Sequence, residues 1–194
     1  MRKLTYCVAS TIDGFIAAPD RSDPASTGLM EPKPEYLPRL LEELPEIIPT
    51  HLREPLGIAD AEAKHFDTVV EGRSSYEIGL QAGITNAYAH LKHYVFSRTM
   101  TESPDPGVQL VASDPVEKVR ELKAEPGKKI WLVGGAKLAA ALRPEIDELL
   151  IKLNPVVAGA GIPLFDGDFH PEQFDLTSAH PLPGGVVHLT YQKR

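Results

Sequence analysis

The chain has 194 residues, 42% of them hydrophobic and 24% charged, an ordinary globular balance that excludes wholesale disorder. Its 20 Lys and Arg against 27 Asp and Glu give a net charge of -7, which argues against a nucleic-acid partner, because neutralising a phosphate backbone takes clustered excess cations. A small phosphorylated ligand stays open, since one or two local cations hold it. The single cysteine, Cys7, excludes an internal disulfide and any multi-cysteine metal centre, and reads as a reducing, cytoplasmic setting. No signal-peptide pattern opens the chain, and no apolar run approaches the roughly 18 residues of a membrane span. The expectation is a soluble protein with no membrane partner.

Short apolar and β-branched runs alternate with helical patterns, which predicts an α/β sheet. Leu4 to Ala9 reads as the first strand, with Cys7 packed in it as a small hydrophobe, and Asp13-Gly14 follows as a turn signal. Between Pro19 and Pro55 stand eight prolines, which break any long helix. Leu37, Leu40, Leu41 and Leu44 still recur at helical spacing over Glu35 to Leu44. The segment from about 19 to 58 therefore reads as a lid or crossover inserted in one domain spanning 1–194. Thr68-Val69-Val70 is the next strand, and Gly72-Arg73-Ser74-Ser75-Tyr76-Glu77 opens a helix. Tyr94 to Phe96 and Val108 to Val111 are further strands. Asp114 caps a helix with Pro115 at its first position and Val116, Val119 and Leu122 on one face, and Pro126-Gly127 ends it. Ile130 to Val133 runs into Gly134-Gly135 and a small-residue helix, Lys137 to Leu142. Ile146 to Leu153, Phe174 to Ala179 and Val186 to Tyr191 complete the sheet, the last two joined as an antiparallel hairpin through Pro183-Gly184-Gly185.

In an open α/β sheet, ligands bind beyond the carboxyl ends of the strands, and three junctions of that kind carry unusual residues. Gly134-Gly135 lets backbone approach a ligand and precedes free helix amides, a pyrophosphate cradle in principle; a plain tight turn is the alternative. Gly72-Arg73-Ser74-Ser75 adds a guanidinium able to hold a phosphate bidentately; the alternative is a solvated Arg73 with Ser74 or Ser75 capping the helix. Ser97-Arg98-Thr99 puts two hydroxyls and a cation at a strand end, which suits a phosphate monoester. One ligand with a diphosphate and a separate phosphate fits all three, and NADPH has that chemistry. The Rossmann fingerprint is missing, and Gly159-Ala160-Gly161, between Pro155 and Pro163, reads as a loop.

Five stretches in order carry a resemblance over nearly the whole chain: Ser10 to Ile16, Gly72 to Glu77, Val95 to Thr99, Ile130 to Gly135, and Pro155 to Phe165. They resemble the reductases related to the C-terminal domain of the bacterial riboflavin-biosynthesis deaminase-reductase, the RibD C-terminal family, which shares the dihydrofolate reductase fold. The resemblance implies a three-layer α/β fold with a central, mostly parallel sheet and an antiparallel C-terminal hairpin, NADPH as hydride donor, and a homodimer. It places Gly72, Arg73 and Ser74 beside the cofactor phosphates, and Ser97 and Arg98, with Thr99, near the adenosine ribose and its 2'-phosphate. Gly134, Gly135, Ala136 and Lys137 fall around the diphosphate, and Ala9 to Ile16 beside the nicotinamide and substrate. Glu71 departs from the pattern, standing where the family usually has an apolar residue. Ser75 replaces a usual threonine, and Ala136 a frequent third glycine.

Hydride transfer needs orientation and a proton source. Asp13 is the best placed carboxylate to supply or relay that proton, or to hold substrate, with an Asp-Gly turn as the alternative. Glu71 is a second candidate acid, the alternative being a side chain in solvent at a strand end. His90-x-x-His93 would set two ligands on one helical face, but no carboxylate pattern accompanies it and no metal site is expected. His51 and His65 lie in or beside the insertion, where they meet substrate or solvent. Trp131 is expected against the helical layer, and Glu42-Glu43 on a solvated face. The insertion, with Lys33, Arg39 and Arg53, is expected to decide substrate identity.

These residues point to an NADPH-dependent reductase of a small heterocyclic or carbonyl-type substrate, similar to stand-alone reductases of 5-amino-6-(5-phosphoribosylamino)uracil. Dihydrofolate reduction is one alternative, weakened because that family's substrate-side tryptophan and acidic residue are missing from the N-terminal third. An NADPH-binding sensor or interaction protein without turnover is another. A deaminase unit is absent, since no H-x-E with P-C-x-x-C occurs.

Overall fold

The computed structural model describes residues 1–30 and 34–194. Pro32 and Lys33 of the insertion lie outside the described residues. In chain order the strands are β1 (Leu4–Ser10), β2 (Phe15–Ala17), β3 (Phe66–Gly72), β4 (Lys92–Phe96), β5 (Val108–Val111), β6 (Lys129–Gly134), β7 (Ile146–Leu153), β8 (Ile162–Pro163), β9 (Phe174–Pro181) and β10 (Val187–Lys193). Eight of them form one sheet in the order β5-β4-β3-β6-β1-β7-β10-β9. The first six of that order run parallel, as the family resemblance implies, and β10 and β9 form the antiparallel hairpin read from the Pro183-Gly184-Gly185 turn. The β2–β8 ribbon was not anticipated; it ties the end of the first strand to the Pro155–Pro163 loop.

Five α-helices accompany the strands: α1 (Leu37–Glu43), α2 (Thr50–Arg53), α3 (Arg73–Gln81), α4 (Pro115–Ala124) and α5 (Ala136–Leu142). Asp114 caps α4 as its sequence requires, accepting the Val116 and Glu117 amides at 2.8 and 3.1 Å. α1 is shorter than its leucine spacing suggests, because Pro45 starts a tight turn directly after Leu44.

Parallel strands need both faces covered, and here the two covers differ in origin. On one face Tyr6, Val70, Ile130 and Leu132 pack with Val119 and Leu122 of α4 and Ala139 and Leu142 of α5. On the other, Cys7, Val69 and Trp131 pack with Leu44 and Ile47 of the proline-rich insertion. The insertion is thus a structural layer as well as a rim. Trp131 belongs to this second face: its ring lies 4.8 Å from Tyr88, and its indole N–H donates to the Cys7 carbonyl at 2.9 Å.

Buried polar groups fasten the insertion. Glu46, fully buried, accepts the amides of His65 and Phe66 at 2.6 and 3.0 Å. Arg53, also buried, donates to the carbonyls of Pro45 and Ala61. Arg39 pairs with Glu43 at 2.6 Å on the surface of α1. Arg39 and Arg53 therefore stabilise the insertion and do not line the cleft described below, contrary to the expectation that they select substrate. Glu42 is exposed as expected, whereas Glu43 is half-buried between Arg39 and His188.

His188 of β10 sits 2.8 Å from the Tyr36 hydroxyl, joining the insertion to the C-terminal hairpin. Burial first, and then the Lys152 ammonium, push its pKa down from 6.5 to about 4. The folded state then binds fewer protons than the unfolded chain between those values, so stability is full above pH 6.5 and falls as pH drops toward 4. Thermal melting followed across that window should show this slope flattened in His188→Gln; an unchanged slope would remove His188 as its cause.

Candidate functional site

The carboxyl ends of β1, β3, β4 and β6 open on one cleft of about 850 Å³. Eleven of the twelve residues expected around a cofactor line it: Ala9 and Ile16; Gly72, Arg73 and Ser74; Ser97 and Arg98; Gly134, Gly135, Ala136 and Lys137. Thr99 stands just outside the lining, and its hydroxyl accepts from the Arg73 guanidinium at 2.6 Å. That bond ties the β3–α3 junction to the chain leaving β4.

Local structure explains why these residues are available. Neither Ser74 nor Ser75 caps α3; its N-cap is Gly72, and no side chain meets the first amides. The Ser97 hydroxyl does cap a turn, accepting from the Thr99 and Met100 amides at 3.2 and 2.9 Å. Arg98 and Lys137 are exposed and have no ion-pair partner among the described residues. A Cβ added to Gly134 or Gly135 would meet no atom within 4 Å, so packing does not demand glycine there. The backbone requires Gly134 instead, since L side chains rarely adopt its φ of +156°, and both glycines leave bare backbone facing the cleft. From the insertion, Arg21 reaches the same junction, its guanidinium 3.5 Å from the Ser74 hydroxyl.

Glu71 does not point to solvent. It is buried at the end of β3, and its Oε1 lies 2.8 Å from Nε2 of His93, which is fully buried on β4. His93 Nδ1 faces the Asn86 side-chain oxygen at 2.9 Å, and that oxygen also accepts the Tyr88 amide. Both ring nitrogens of His93 thus lie within hydrogen-bond distance of a side-chain oxygen, which fixes the ring between Glu71 and Asn86. His93 is on a strand and His90 in a turn, held by the Thr50 hydroxyl and the Glu46 carbonyl, so the two do not share a helical face. Among the described residues no cluster of three or more metal-ligating side chains occurs. His51 lines the cleft, while His65 is taken up by Glu46 and the Glu43 carbonyl.

Asp13 lies outside the cleft lining. Its carboxylate accepts the Thr11 hydroxyl at 2.6 Å and the Gly159 and Ala158 amides at 2.7 and 3.1 Å. The Thr11 hydroxyl, then the Gly159 amide, hold its pKa down at about 2. A carboxylate so engaged is a lock on the 156–161 loop and a poor proton donor at neutral pH.

Residues 2–188 match the RibD C-terminal domain. The chain belongs to that family. Two uncharacterized Bacillus subtilis proteins are relatives. YyaP is 30% identical over 138 residues, spanning 64% of this chain and 73% of YyaP. YwjB is 38% identical over 101 residues, 51% of this chain and 58% of YwjB. Among solved structures, a Shewanella sp. PV-4 protein described as a riboflavin biosynthesis protein superposes with TM-score 0.70 at 21% identity, covering all of this chain and 99% of its own. The Thermotoga maritima diaminohydroxyphosphoribosylaminopyrimidine deaminase/5-amino-6-(5-phosphoribosylamino)uracil reductase superposes with TM-score 0.63 at 16% identity, over all of this chain and 57% of that one. At these identities the structural likeness is one of fold, and it agrees with the RibD-type α/β sheet described above. No helix of the described residues is long and apolar enough to cross a membrane.

Among the cleft residues that sequence reasoning missed are Arg21, Tyr88 and Lys152. A lysine after the apolar run Leu149-Leu150-Ile151 was a readable signal for Lys152; Arg21 and Tyr88 arrive from loops and carried none. The Glu71–His93 pair yields a stability prediction for this RibD-family chain. Urea unfolding of His93→Leu should show a loss of about 3 kcal/mol, since it strands a buried carboxylate, and adding Glu71→Met should recover most of it. Equal losses in the single and double variants would contradict the pairing.

Proposed function

We propose that this RibD-family chain is an NADPH-dependent reductase of a small heterocyclic or carbonyl-type substrate, working as a homodimer in a reducing, cytoplasmic setting. The observation that carries the reading is that Arg98 and Lys137, unpaired among the described residues, face the same cleft as the bare Gly134–Gly135 backbone. The donor set fits a nucleotide with a diphosphate and a third phosphate. Gly134, Gly135, Ala136 and Lys137 would hold the diphosphate together with Gly72, Arg73 and Ser74, while Ser97 and Arg98 would hold the 2'-phosphate. Ala9 and Ile16 would flank the nicotinamide. When bound, the reduced nicotinamide supplies a hydride.

The chain's own residues do the rest. The bond from Arg73 to Thr99 holds the guanidinium in one place, which lowers the cost of binding a phosphate there. The insertion residues Ile47, Pro49 and Leu52 wall one side of the cleft with apolar surface. Asp13, being locked to the loop, holds the end of β1 in position. The uracil-type substrate named for the Thermotoga neighbour supports the heterocyclic class.

Titration of the purified protein with NADPH and NADH, followed by Trp131 fluorescence and by heat, tests the reading, because Trp131 lines the cleft. NADPH should bind more tightly than NADH. Arg98→Ala should weaken NADPH about tenfold, the worth of one charge-assisted phosphate contact, and leave NADH unchanged. If neither nucleotide binds the wild-type protein, the cofactor assignment fails.

A further inference from the structure

The cofactor groups account for one side of the cleft. Of the charged side chains they leave, Lys152 and Glu71 stand on strands of the main sheet, while Arg21 and Asp23 come from the insertion and Asp166 from the loop after β8. Lys152 stands near the end of β7, paired with Ala9 of β1 on one side and His188 of β10 on the other. It is half-buried, it lines the cleft, and its ammonium has neither a hydrogen bond nor an ion pair among the described residues. Register with Ala9 and His188 puts it on the same sheet face as both of them, and as Cys7 two residues before Ala9. Glu71 lines the same cleft from β3. One oxygen is held by His93, and the other has no hydrogen bond among the described residues.

Between the two lie β6 and β1, so β3 and β7 are three strand spacings apart, about 14 Å. The surface between them is apolar: Trp131 and Val133 of β6, Cys7 and Ala9 of β1. Cys7 adds no charge, since burial pushes its thiol up to about 11. Ile47, Pro49 and Leu52 close the space from the insertion. A half-buried ammonium without a counter-ion and a carboxylate oxygen without a donor are each costly to keep dry, and one ligand relieves both.

Resting on the reading of this cleft as a reductase site, we propose that Lys152 and Glu71 are the two polar ends of the substrate pocket. The substrate is then a flat, largely apolar molecule with an oxyanion group for Lys152 and an N–H donor group of the amidine or aminoheterocycle kind for Glu71. Neither end is a nucleotide contact. The oxyanion is a carboxylate or a phosphate, which share the chemistry Lys152 recognises.

Heat titration of the full chain without nucleotide tests this with 4-amidinobenzoate, benzamidine, benzoate, phenyl phosphate and the neutral benzamide. Wild type should bind 4-amidinobenzoate most tightly and benzamide least. The tighter of benzoate and phenyl phosphate identifies the oxyanion. Lys152→Met should weaken 4-amidinobenzoate and the tighter oxyanion about tenfold and leave benzamidine alone, with Lys152→Arg restoring binding. Glu71→Gln should do the reverse, weakening the two amidines and sparing benzoate. Should Glu71→Gln fail to fold, the two Lys152 variants decide by themselves. Equal weakening of every probe by Lys152→Met overturns the assignment, as does an absence of saturable binding of 4-amidinobenzoate at millimolar concentration. NADPH titrated on the same samples separates the two readings. NADPH binding without charge-dependent probe binding overturns the pocket alone. Charge-dependent probe binding without NADPH binding overturns the reductase reading and leaves the pocket standing.

Discussion

Six neighbouring strands running the same way must all end on the same side of the sheet, and most of this molecule follows from that constraint. Each strand end hands the chain to a loop or helix whose first amides lack partners within the sheet. β3 ends in Gly72-Arg73, β4 in Ser97-Arg98, and β6 in Gly134-Gly135. Residues more than 20 positions apart in the chain therefore reach one cleft, gathered by the parallel pairing of β3 with β4 and with β6. The bond between Arg73 and Thr99 is a product of that convergence: two adjacent strand ends place a guanidinium and a hydroxyl 2.6 Å apart.

The same constraint makes the insertion necessary. With both faces of a parallel sheet needing cover, α4 and α5 serve one; on the other, Tyr76 and Leu80 of α3 cover β4 and β5, and the rest is left to a segment too rich in proline for a long helix. Leu44 and Ile47 supply apolar cover from short turns, and their stability depends on buried polar anchors in place of helical length. Glu46 takes two backbone amides at the start of β3, and Arg53 two carbonyls of the insertion itself. Charges used in this way cannot also select a ligand. That is the physical reason Arg53 is absent from the cleft while the adjacent His51 and Leu52 line it.

The eight main strands and the C-terminal hairpin were legible along the chain, because apolar runs, the Asp114-Pro115 cap and the Pro183-Gly184-Gly185 turn are local signals with local causes. The parallel direction came with the family resemblance, and the order of strands across the sheet was not legible. The strand-end residues of the cleft were legible for the same reason: each belongs to a short stretch whose chemistry is complete in itself. Glu71 and His93 were not. A carboxylate at a strand end and a histidine in an apolar run each have a simpler reading alone, and only the register of β3 against β4 brings Nε2 to the carboxylate. Asp13 failed in the opposite direction. Its local setting is an Asp-Gly turn, but the amides that occupy it belong to Ala158 and Gly159, far along the chain. Lys152 shows the same limit, since only the sheet order makes it a wall of the cleft facing Glu71 across β6 and β1.

The net charge of -7 and the chemistry of the cleft have opposite signs, and the distance over which each acts resolves this. Arg21, Arg73, Arg98, Lys137 and Lys152 line the cleft against Asp23, Glu71 and Asp166, so its local balance is positive. At physiological ionic strength charges on water-exposed surface are screened beyond about 8 Å, so the acidic exterior adds little inside the cleft. A phosphorylated ligand arriving there meets more cations than acids, and of those cations only Arg73 has an ion-pair partner among the described residues, Glu77 at 3.5 Å. Of the acids, Glu71 is already shared with His93, which leaves the guanidinium and ammonium groups as the dominant field. The acidic exterior then acts against polyanions such as nucleic acids, which must touch the surface over many Debye lengths, while small anions reach the cations within one.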